Sequence, residues 1–176
     1  MVKARLFRLG ALVIVGALGS VLLLNLLQKT REDEPTGPAR VVDGDTLVVA
    51  EQKIRLYGLD APESRQICQR DGEEWSAGKD ATAWVRAQVD GKIVRCVVED
   101  EDRRYGRRVA TCFLGKTDLN RAIVQAGWAV AYRRYSDRYV AEEKAARTAR
   151  RGLWQGECDQ PEAWRRDHNR FRPRNG

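Results

Sequence analysis

The sequence predicts an α+β fold, mainly β, in which a small barrel of the OB type is preceded by one apolar N-terminal helix. Three observations lead to this prediction. Short runs rich in Val, Ile and Leu, bounded by turn residues, follow one another through the middle of the chain. Segments with the apolar spacing of helices lie between them. The 176 residues suffice for one such domain with a sizeable core and additional terminal segments.

The N-terminal part of the chain predicts a membrane anchor. Residues 9–27 are almost continuously apolar, and a helix of this length spans roughly 28 Å, close to the hydrocarbon thickness of a bilayer. Lys3, Arg5 and Arg8 lie in the preceding basic flank, residues 1–8, which we expect to stay in the cytoplasm. A cleaved signal peptide and a buried soluble helix are the alternatives. The sequence after the apolar run offers no good small-residue cleavage site, which favours the uncleaved anchor.

The domain that follows is expected outside the cytoplasm, in the periplasm or the extracellular space. Cleavage of the anchor would make it a secreted protein. Residues 28–38 are polar, contain two prolines and one glycine, and are interpreted as a linker. The folded domain is assigned to residues 39–155, and it is expected to be a monomer.

Two strands are predicted at the start of the domain, at residues 40–50 and 53–59, with a short turn between them. Asp43 and Asp45 are two residues apart, so in an extended strand both carboxylates lie on one face. Asp60 follows the second strand, and a tight hairpin brings it near Asp45. Carboxylates among so many apolar residues therefore indicate a site, although solvated turn acids are the alternative.

The remaining elements follow from periodicity and from start and stop signals. Asp118 has the chemistry of a helix N-cap, Gly91 and Gly152 are typical helix ends, and apolar residues alternate on both sides of a charged hairpin tip. The arginine-rich tail, residues 156–176, is predicted to be mobile and solvated, with contact to nucleic acid or lipid headgroups as an alternative. The predicted helices are residues 77–89, 118–126 and 136–151, and the predicted strands are residues 93–99, 109–113 and 128–132.

The four cysteines predict disulfides more readily than a zinc site, because no CxxC pair occurs. Cys96 and Cys112 lie almost equidistant from the tip of the predicted hairpin, which favours a cross-strand disulfide. Cys68 and Cys158 form the remaining pair. Disulfides fit an oxidising compartment; four buried free thiols are the alternative.

Charge and histidine content narrow the chemistry. The net charge of +7 favours polyanionic partners, although three of the positive charges belong to the N-terminal flank. His168 is the sole histidine of the chain. This argues against a nuclease with paired catalytic histidines and against a histidine-rich zinc centre. Catalysis would have to rely on carboxylates, arginines and a hard metal ion.

Three linked motifs carry a family resemblance. They are Val41-Val42-Asp43-Gly44-Asp45-Thr46, then Ile54-Arg55-Leu56 with Leu59-Asp60-Ala61-Pro62-Glu63, and Tyr105-Gly106-Arg107. Their order and spacing resemble the thermonuclease (staphylococcal nuclease-like) family, from about residue 40 to residue 154. The N-terminal segment and the C-terminal tail lie outside this resemblance, which implies a five-stranded OB-fold barrel with about three helices.

The resemblance also implies residue roles. Asp45, Asp60 and the backbone carbonyl of Ala61 would bind Ca²⁺, since all-oxygen ligation with a flexible shell suits this ion better than Mg²⁺. Asp43 would support these ligands or hold a metal-bound water. Glu63 would accept a proton from the attacking water or orient it.

Two arginines and two tyrosines complete the expected site. Arg55 and Arg107 would bind the phosphate, because their planar forks match phosphate oxygens; the alternative is that both pair with neighbouring acids. Tyr105 would hydrogen-bond a phosphate or stack on a base. Tyr132 would stack on a base, or else is a partly buried core tyrosine.

These expectations predict a calcium-dependent endonuclease that cleaves DNA and RNA with little sequence preference and prefers single strands. The family implies products with 5′-hydroxyl and 3′-phosphate ends. A noncatalytic OB-fold module that binds nucleic acid or a protein at the cell envelope is the alternative. A purely structural envelope scaffold has no specific feature in its favour.

Overall fold

The computed structural model describes residues 34–169. The predicted membrane anchor and its basic flank lie outside the described residues. Among residues 34–169, no helix has the length and apolar character needed to cross a bilayer.

Ten strands, four helices and one 3₁₀ turn make up the described chain. The strands are β1 (Thr36–Asp43), β2 (Thr46–Val49), β3 (Gln52–Leu56), β4 (Leu59–Asp60), β5 (Cys68–Arg70), β6 (Glu73–Trp75), β7 (Ile93–Asp102), β8 (Arg107–Leu114), β9 (Thr117–Asp118) and β10 (Val130–Ala131). The helices are α1 (Ala77–Val89), α2 (Leu119–Gln125), α3 (Val140–Thr148) and α4 (Pro161–Asn169), with the 3₁₀ turn at Gly152–Gln155.

Five strands form a closed ring, as the predicted barrel requires. The main sheet has the order β3-β2-β1-β7-β8-β9, and a parallel pairing between β3 and β8 closes it. Arg55 on β3 lies opposite Val109 on β8 in this pairing. Closure satisfies the backbone of both strands and leaves no open edge between them.

The core fills the ring and extends to the helices packed on it. Leu47, Ile54, Leu56 and Leu59 are almost fully buried, together with Ile123 of α2. Alternate residues of β2 and β3 point inward, as expected for strands with one face on the core. The α+β class and the five-stranded ring are therefore confirmed.

Several local predictions are confirmed. α1 spans residues 77–89 as predicted, and Asp118 caps α2 by accepting a hydrogen bond from the backbone N–H of Arg121. Both predicted disulfides are present, Cys96–Cys112 across β7 and β8 and Cys68–Cys158 between β5 and the segment before α4. Two disulfides favour a location outside the cytoplasm.

The prediction of one strand over residues 40–50 was wrong. β1 ends at Asp43, and the chain turns at Gly44 and Asp45 before β2 begins. Asp43 and Asp45 therefore do not lie on one face of a strand. The turn packs tightly, because a Cβ atom at Gly44 would come within 2.7 Å of the Ala61 Cβ.

Two predictions about helices were also wrong. α3 begins at Val140 rather than Ser136, because residues 133–139 form turns that bury the Tyr139 side chain. The tail was predicted to be mobile, but residues 161–169 form α4, which raises the number of helices from about three to four. Pro161 at the first helical position and Glu162 beside it suit a helix start.

Candidate functional site

An open cleft of about 660 Å³ contains nearly all of the predicted site residues. Its walls come from the β1–β2 turn, the segment after β4, the β7–β8 tip and α4. Asp60 lies immediately behind the wall, with its side chain 1% exposed. The predicted residues that line the cleft are Asp43, Asp45, Arg55, Ala61, Glu63, Tyr105, Arg107 and Tyr132.

Arg55 is the centre of the acidic end of the cleft. Its Nη1 donates to Asp45 Oδ1 at 2.9 Å, and its Nη2 donates to Asp60 Oδ1 at 2.8 Å. Burial disfavours the charge on Arg55, but the charges of Asp45 and Asp60 outweigh this and raise the pKa of the guanidinium. One arginine therefore holds two carboxylates at a fixed separation.

Asp45 is fixed by further hydrogen bonds from its surroundings. Its Oδ2 accepts from the backbone N–H of Ala61 at 3.2 Å, and its Oδ1 accepts from the Thr46 hydroxyl at 3.0 Å. The predicted proximity of Asp45 to Asp60 is also confirmed, because Arg55 contacts both carboxylates. Asp43 accepts from the backbone N–H of Asp45 at 3.1 Å and so supports the turn. Burial, and then the charge of Asp45, raise the pKa of Asp43 to about 6, although the hydrogen bond opposes this.

Glu63 reaches the same end of the cleft from a tight turn. Its backbone N–H donates to Gln66 Oε1 at 3.2 Å, and its carbonyl accepts from the backbone N–H of Gln66 at 2.7 Å. The Gln66 side chain is buried and also donates to the Asp159 carbonyl at 2.8 Å. The backbone of Glu63 is therefore held, while its carboxylate, 38% exposed, faces the cleft.

Arg165 of α4 is a charged cleft residue that the sequence interpretation missed. Its Nη1 donates to Asp60 Oδ1 at 2.9 Å and to Glu63 Oε1 at 3.0 Å, and its Nη2 donates to Asp60 Oδ2 at 2.8 Å. Burial raises the pKa of Asp60, while the hydrogen bond from Arg165 opposes the shift. Pro161 could have indicated a helix start in the tail, but no motif marked Arg165 itself.

Arg107 lies at the start of β8, the strand that pairs with β3 and Arg55. Its Nη2 donates to Asp102 Oδ2 at 2.6 Å, and its guanidinium lies 4.8 Å from the centre of the Tyr105 ring. The Arg107 Nε is buried and has no hydrogen-bond partner within residues 34–169. Arg55 and Arg107 both pair with acids, as the alternative interpretation predicted. Both also line the cleft.

Tyr105, Tyr132 and Tyr135 are three of the four tyrosines that line the cleft, the fourth being Tyr57. Tyr105 is 60% exposed, and the guanidinium groups of Arg104 and Arg107 lie 5.5 and 4.8 Å from its ring centre. Tyr132 packs edge-on against Tyr135, with ring centres 5.0 Å apart. Tyr135 is 62% exposed and was not among the predicted residues. Each of these rings is available to a planar ligand, because each lines the cleft.

The donor set fits a hard divalent cation. Asp45 and Asp60 place carboxylate oxygens on either side of one guanidinium, and Arg165 contacts Asp60 and Glu63. Carboxylate oxygens are the ligand type that hard divalent cations prefer. Within residues 34–169 no three acidic, histidine or cysteine side chains converge as a ready ligand set. A metal would therefore need a backbone carbonyl and water as further ligands, which Ca²⁺ accepts.

The chain is similar to known nucleases. The family described as "Staphylococcal nuclease homologue" matches residues 53–156. A thermonuclease of Staphylococcus hyicus is 30% identical over 65% of this chain and 72% of its own length. An uncharacterized endonuclease of Escherichia coli O157:H7 is 34% identical over 65% of this chain and 73% of its own length.

A third relative has a different description. The succinoglycan biosynthesis protein ExoI of Rhizobium meliloti (strain 1021) is 34% identical over 69% of this chain, which spans 65% of that protein's length. The family match includes β7 and β8 of the ring and the cleft residues Arg55, Glu63 and Arg107, and it alone covers more than half of the chain. The chain belongs to the staphylococcal nuclease homologue family.

Proposed function

We propose that this protein is a calcium-dependent endonuclease that hydrolyses phosphodiester bonds of DNA and RNA without sequence preference. The observation that carries the proposal is the fork of Arg55 between Asp45 and Asp60, at the same end of the cleft as Glu63. Phosphodiester hydrolysis needs an oriented water and positive charge to stabilise the transition state. Both requirements can be met by these residues.

Glu63 is proposed to orient the attacking water and to accept its proton. Its carboxylate is partly exposed, while its backbone is fixed by Gln66, so it can approach a substrate without a large rearrangement. Arg55 and Arg107 would bind the phosphate oxygens from two sides. The Nε of Arg107 is buried and unpartnered within residues 34–169, and a phosphate could satisfy it once the Arg107 side chain turns toward the cleft.

Asp45, Asp60 and the carbonyl of Ala61 would hold the calcium ion, which supplies positive charge near the scissile phosphate when bound. Asp43 would keep Asp45 in place through the backbone N–H of Asp45. The proposal uses no histidine. His168 stacks on Trp164 of α4 and is not among the residues that line the cleft.

The substrate is proposed to be single-stranded, and the products to carry 5′-hydroxyl and 3′-phosphate ends. Tyr105 and Tyr132 would stack on bases, each worth about 1–3 kcal/mol, and stacking tolerates any sequence. Bases must be free to leave a duplex before they can reach these rings. The protein is further proposed to be a monomer, anchored by residues 9–27 with its catalytic domain outside the cytoplasm.

The test is hydrolysis of heat-denatured DNA by the full chain, purified in mild detergent, with calcium or EDTA. We expect degradation only with calcium, and we expect Glu63→Gln to lower the rate by about 10²–10⁴-fold while binding of a labelled single strand survives. Glu73→Gln, at an exposed acid on β6, is the matched control and should retain full activity.

A rival function is a noncatalytic module that uses the same cleft to bind nucleic acid. If the folded protein binds DNA but leaves it intact in every reaction, the noncatalytic module is supported and the nuclease proposal is refuted. If the wild type and Glu63→Gln hydrolyse DNA equally fast, the protein is a nuclease but Glu63 has no part in its catalysis.

A further inference from the structure

The C-terminal helix places a cation at the acidic end of the cleft. Arg165 uses two guanidinium nitrogens to contact both oxygens of Asp60 and one oxygen of Glu63. Arg55 already occupies one of these Asp60 oxygens. In this arrangement both oxygens of Asp60 are engaged by arginine, so the most buried acid of the site has no free oxygen.

The contact fills the position that a metal ion would need. A bidentate guanidinium lies in the plane of the carboxylate, directly in front of its two oxygens. A calcium ion bound to Asp60 would lie within a few ångströms of Arg165, and two cations so close repel strongly in a partly buried site. Occupancy of Asp60 by Arg165 and by a divalent ion is therefore mutually exclusive.

The chain just before α4 is firmly attached to the domain. Cys158 is bonded to Cys68, and residues Gln69 and Glu157 exchange two backbone hydrogen bonds of 3.0 and 2.8 Å. The Asp159 carbonyl accepts from the buried side chain of Gln66. Arg165 is thus only a few residues along the chain from a segment that is fixed to the domain. This keeps the effective concentration of its guanidinium near the acids high.

The helix itself is held mainly by polar contacts. Within residues 34–169, α4 contributes no side chain to either apolar cluster of the core. Its other ion pair joins Glu162 to Arg134, and both side chains are more than two-fifths exposed, so this pair adds little. A helix attached at one end and docked by ion pairs can leave and return without disturbing the fold.

We propose that α4 is a built-in gate of the metal site, in which Arg165 occupies the acids until a divalent cation displaces it. The inference rests on the proposed calcium site at Asp45 and Asp60. Its consequence is that calcium binding and release of α4 are one coupled equilibrium, so the apparent calcium affinity is lower than that of the exposed acids.

The first measurement is calcium binding to the full chain by isothermal titration calorimetry. Arg165→Ala should bind calcium about tenfold more tightly than the wild type, within the usual range of coupling between two ligands. Arg165→Lys, which keeps the charge but loses the fork, should lie between them. Arg166→Ala is the matched control: this neighbouring arginine is exposed, and its removal changes the net charge equally.

The second measurement follows α4 directly by fluorine NMR of fluorotryptophan-labelled protein. The resonance of Trp164, assigned by its loss in Trp164→Phe, should move when calcium is added to the wild type. In Arg165→Ala without calcium it should already lie at the position that the wild type reaches with calcium.

The outcomes separate the gate from the proposed function. Equal calcium affinity of the wild type and Arg165→Ala overturns the gate and leaves the calcium site intact. Absence of calcium binding in both overturns the gate together with the calcium site. Unchanged affinity with slower single-strand cleavage at saturating calcium would make Arg165 a substrate contact, and this result also overturns the gate.

Discussion

Gly78 lies so close to the carbonyl group of Glu63 that a Cβ atom added at Gly78 would come within 1.8 Å of the carbonyl oxygen. The first turn of α1 therefore supports the loop that carries Glu63. No side chain is needed for this support, because two backbones are in direct contact. The relationship leads to the first of four predictions.

Gly78→Ala is expected to lower activity even though alanine favours helices more than glycine does. The backbone of Glu63 would have to move by more than 1 Å, and a displacement of this size can cost about 10²-fold in rate. Stability should fall by about 1–3 kcal/mol, as for other overpacked sites. DNA hydrolysis per folded molecule is the measurement. Gly37→Ala is the control, because the nearest atom to its added Cβ is the Ala50 nitrogen at 3.8 Å; equal activity of both variants would contradict the prediction.

Asn120→Ala is expected to destabilise the domain by about 2–4 kcal/mol. The fully buried Asn120 side chain accepts from the Cys112 N–H and donates to the carbonyls of Tyr57 and Ala110. Alanine would leave these buried backbone groups with fewer partners. Urea unfolding gives the change in free energy. Gln125→Ala, at an exposed position of α2, should change it by less than about 0.5 kcal/mol; similar losses in both variants would count against this role.

The free energy of unfolding is expected to fall at acidic pH, partly because the Glu99 carboxylate becomes protonated. Burial raises the pKa of this carboxyl, but hydrogen bonds from Arg138 and Thr111 outweigh it, so the folded-state pKa is lowered. The ion pair therefore stabilises the protein above the ordinary Glu pKa of about 4.3, and this contribution disappears as the pH falls through the lowered folded value. Arg138 is 39% exposed, which limits the contribution to about 1 kcal/mol.

Urea unfolding of the wild type and Glu99→Gln at pH 7 and pH 3 tests this. The variant should be the less stable protein at pH 7, and the difference should shrink at pH 3. Glu74→Gln, at an exposed acid, should track the wild type at both values. A difference that stays constant with pH would exclude an ionised Glu99 as its cause.

The two disulfides are expected to differ in their effect on stability. Replacing both cysteines of the Cys96–Cys112 pair, which are 16 residues apart, should cost about 3 kcal/mol. Replacing Cys68 and Cys158, which are 90 residues apart, should cost about 4.5 kcal/mol, because the longer loop restricts the unfolded chain more strongly. Unfolding free energies of the two double-alanine variants give the comparison. A larger loss for Cys96–Cys112 would contradict the loop-length argument.

Helices and hairpins with a clear signal in their own sequence were predicted correctly. α1 has an apolar stripe and a glycine beyond its end, and its bounds were predicted to the residue. The disulfide between Cys96 and Cys112 followed from the symmetry of one hairpin. The turn at Gly44 was missed, although Asp43-Gly44 is a typical turn dipeptide, because the apolar residues on both sides were interpreted as one continuous strand.

The contacts of Arg165 could not be predicted from the sequence. An arginine in a basic tail looks the same whether it is solvated or paired with Asp60, more than one hundred residues away. The pairing of Arg55 with two acids is similar, because hydrogen-bond partners depend on how the ring closes. Composition and motif predicted which residues gather in the cleft, and packing decided which of them contact each other.

The parallel pairing of β3 and β8 also has a kinetic consequence. Strands far apart in the sequence must meet before the ring closes, and such long-range pairings form slowly. Arg55 lies on one of these strands and Arg107 on the other. The two guanidinium groups therefore share a cleft only once this long-range pairing has formed, and a refolding molecule is expected to gain the proposed cleavage activity no earlier than the ring closes.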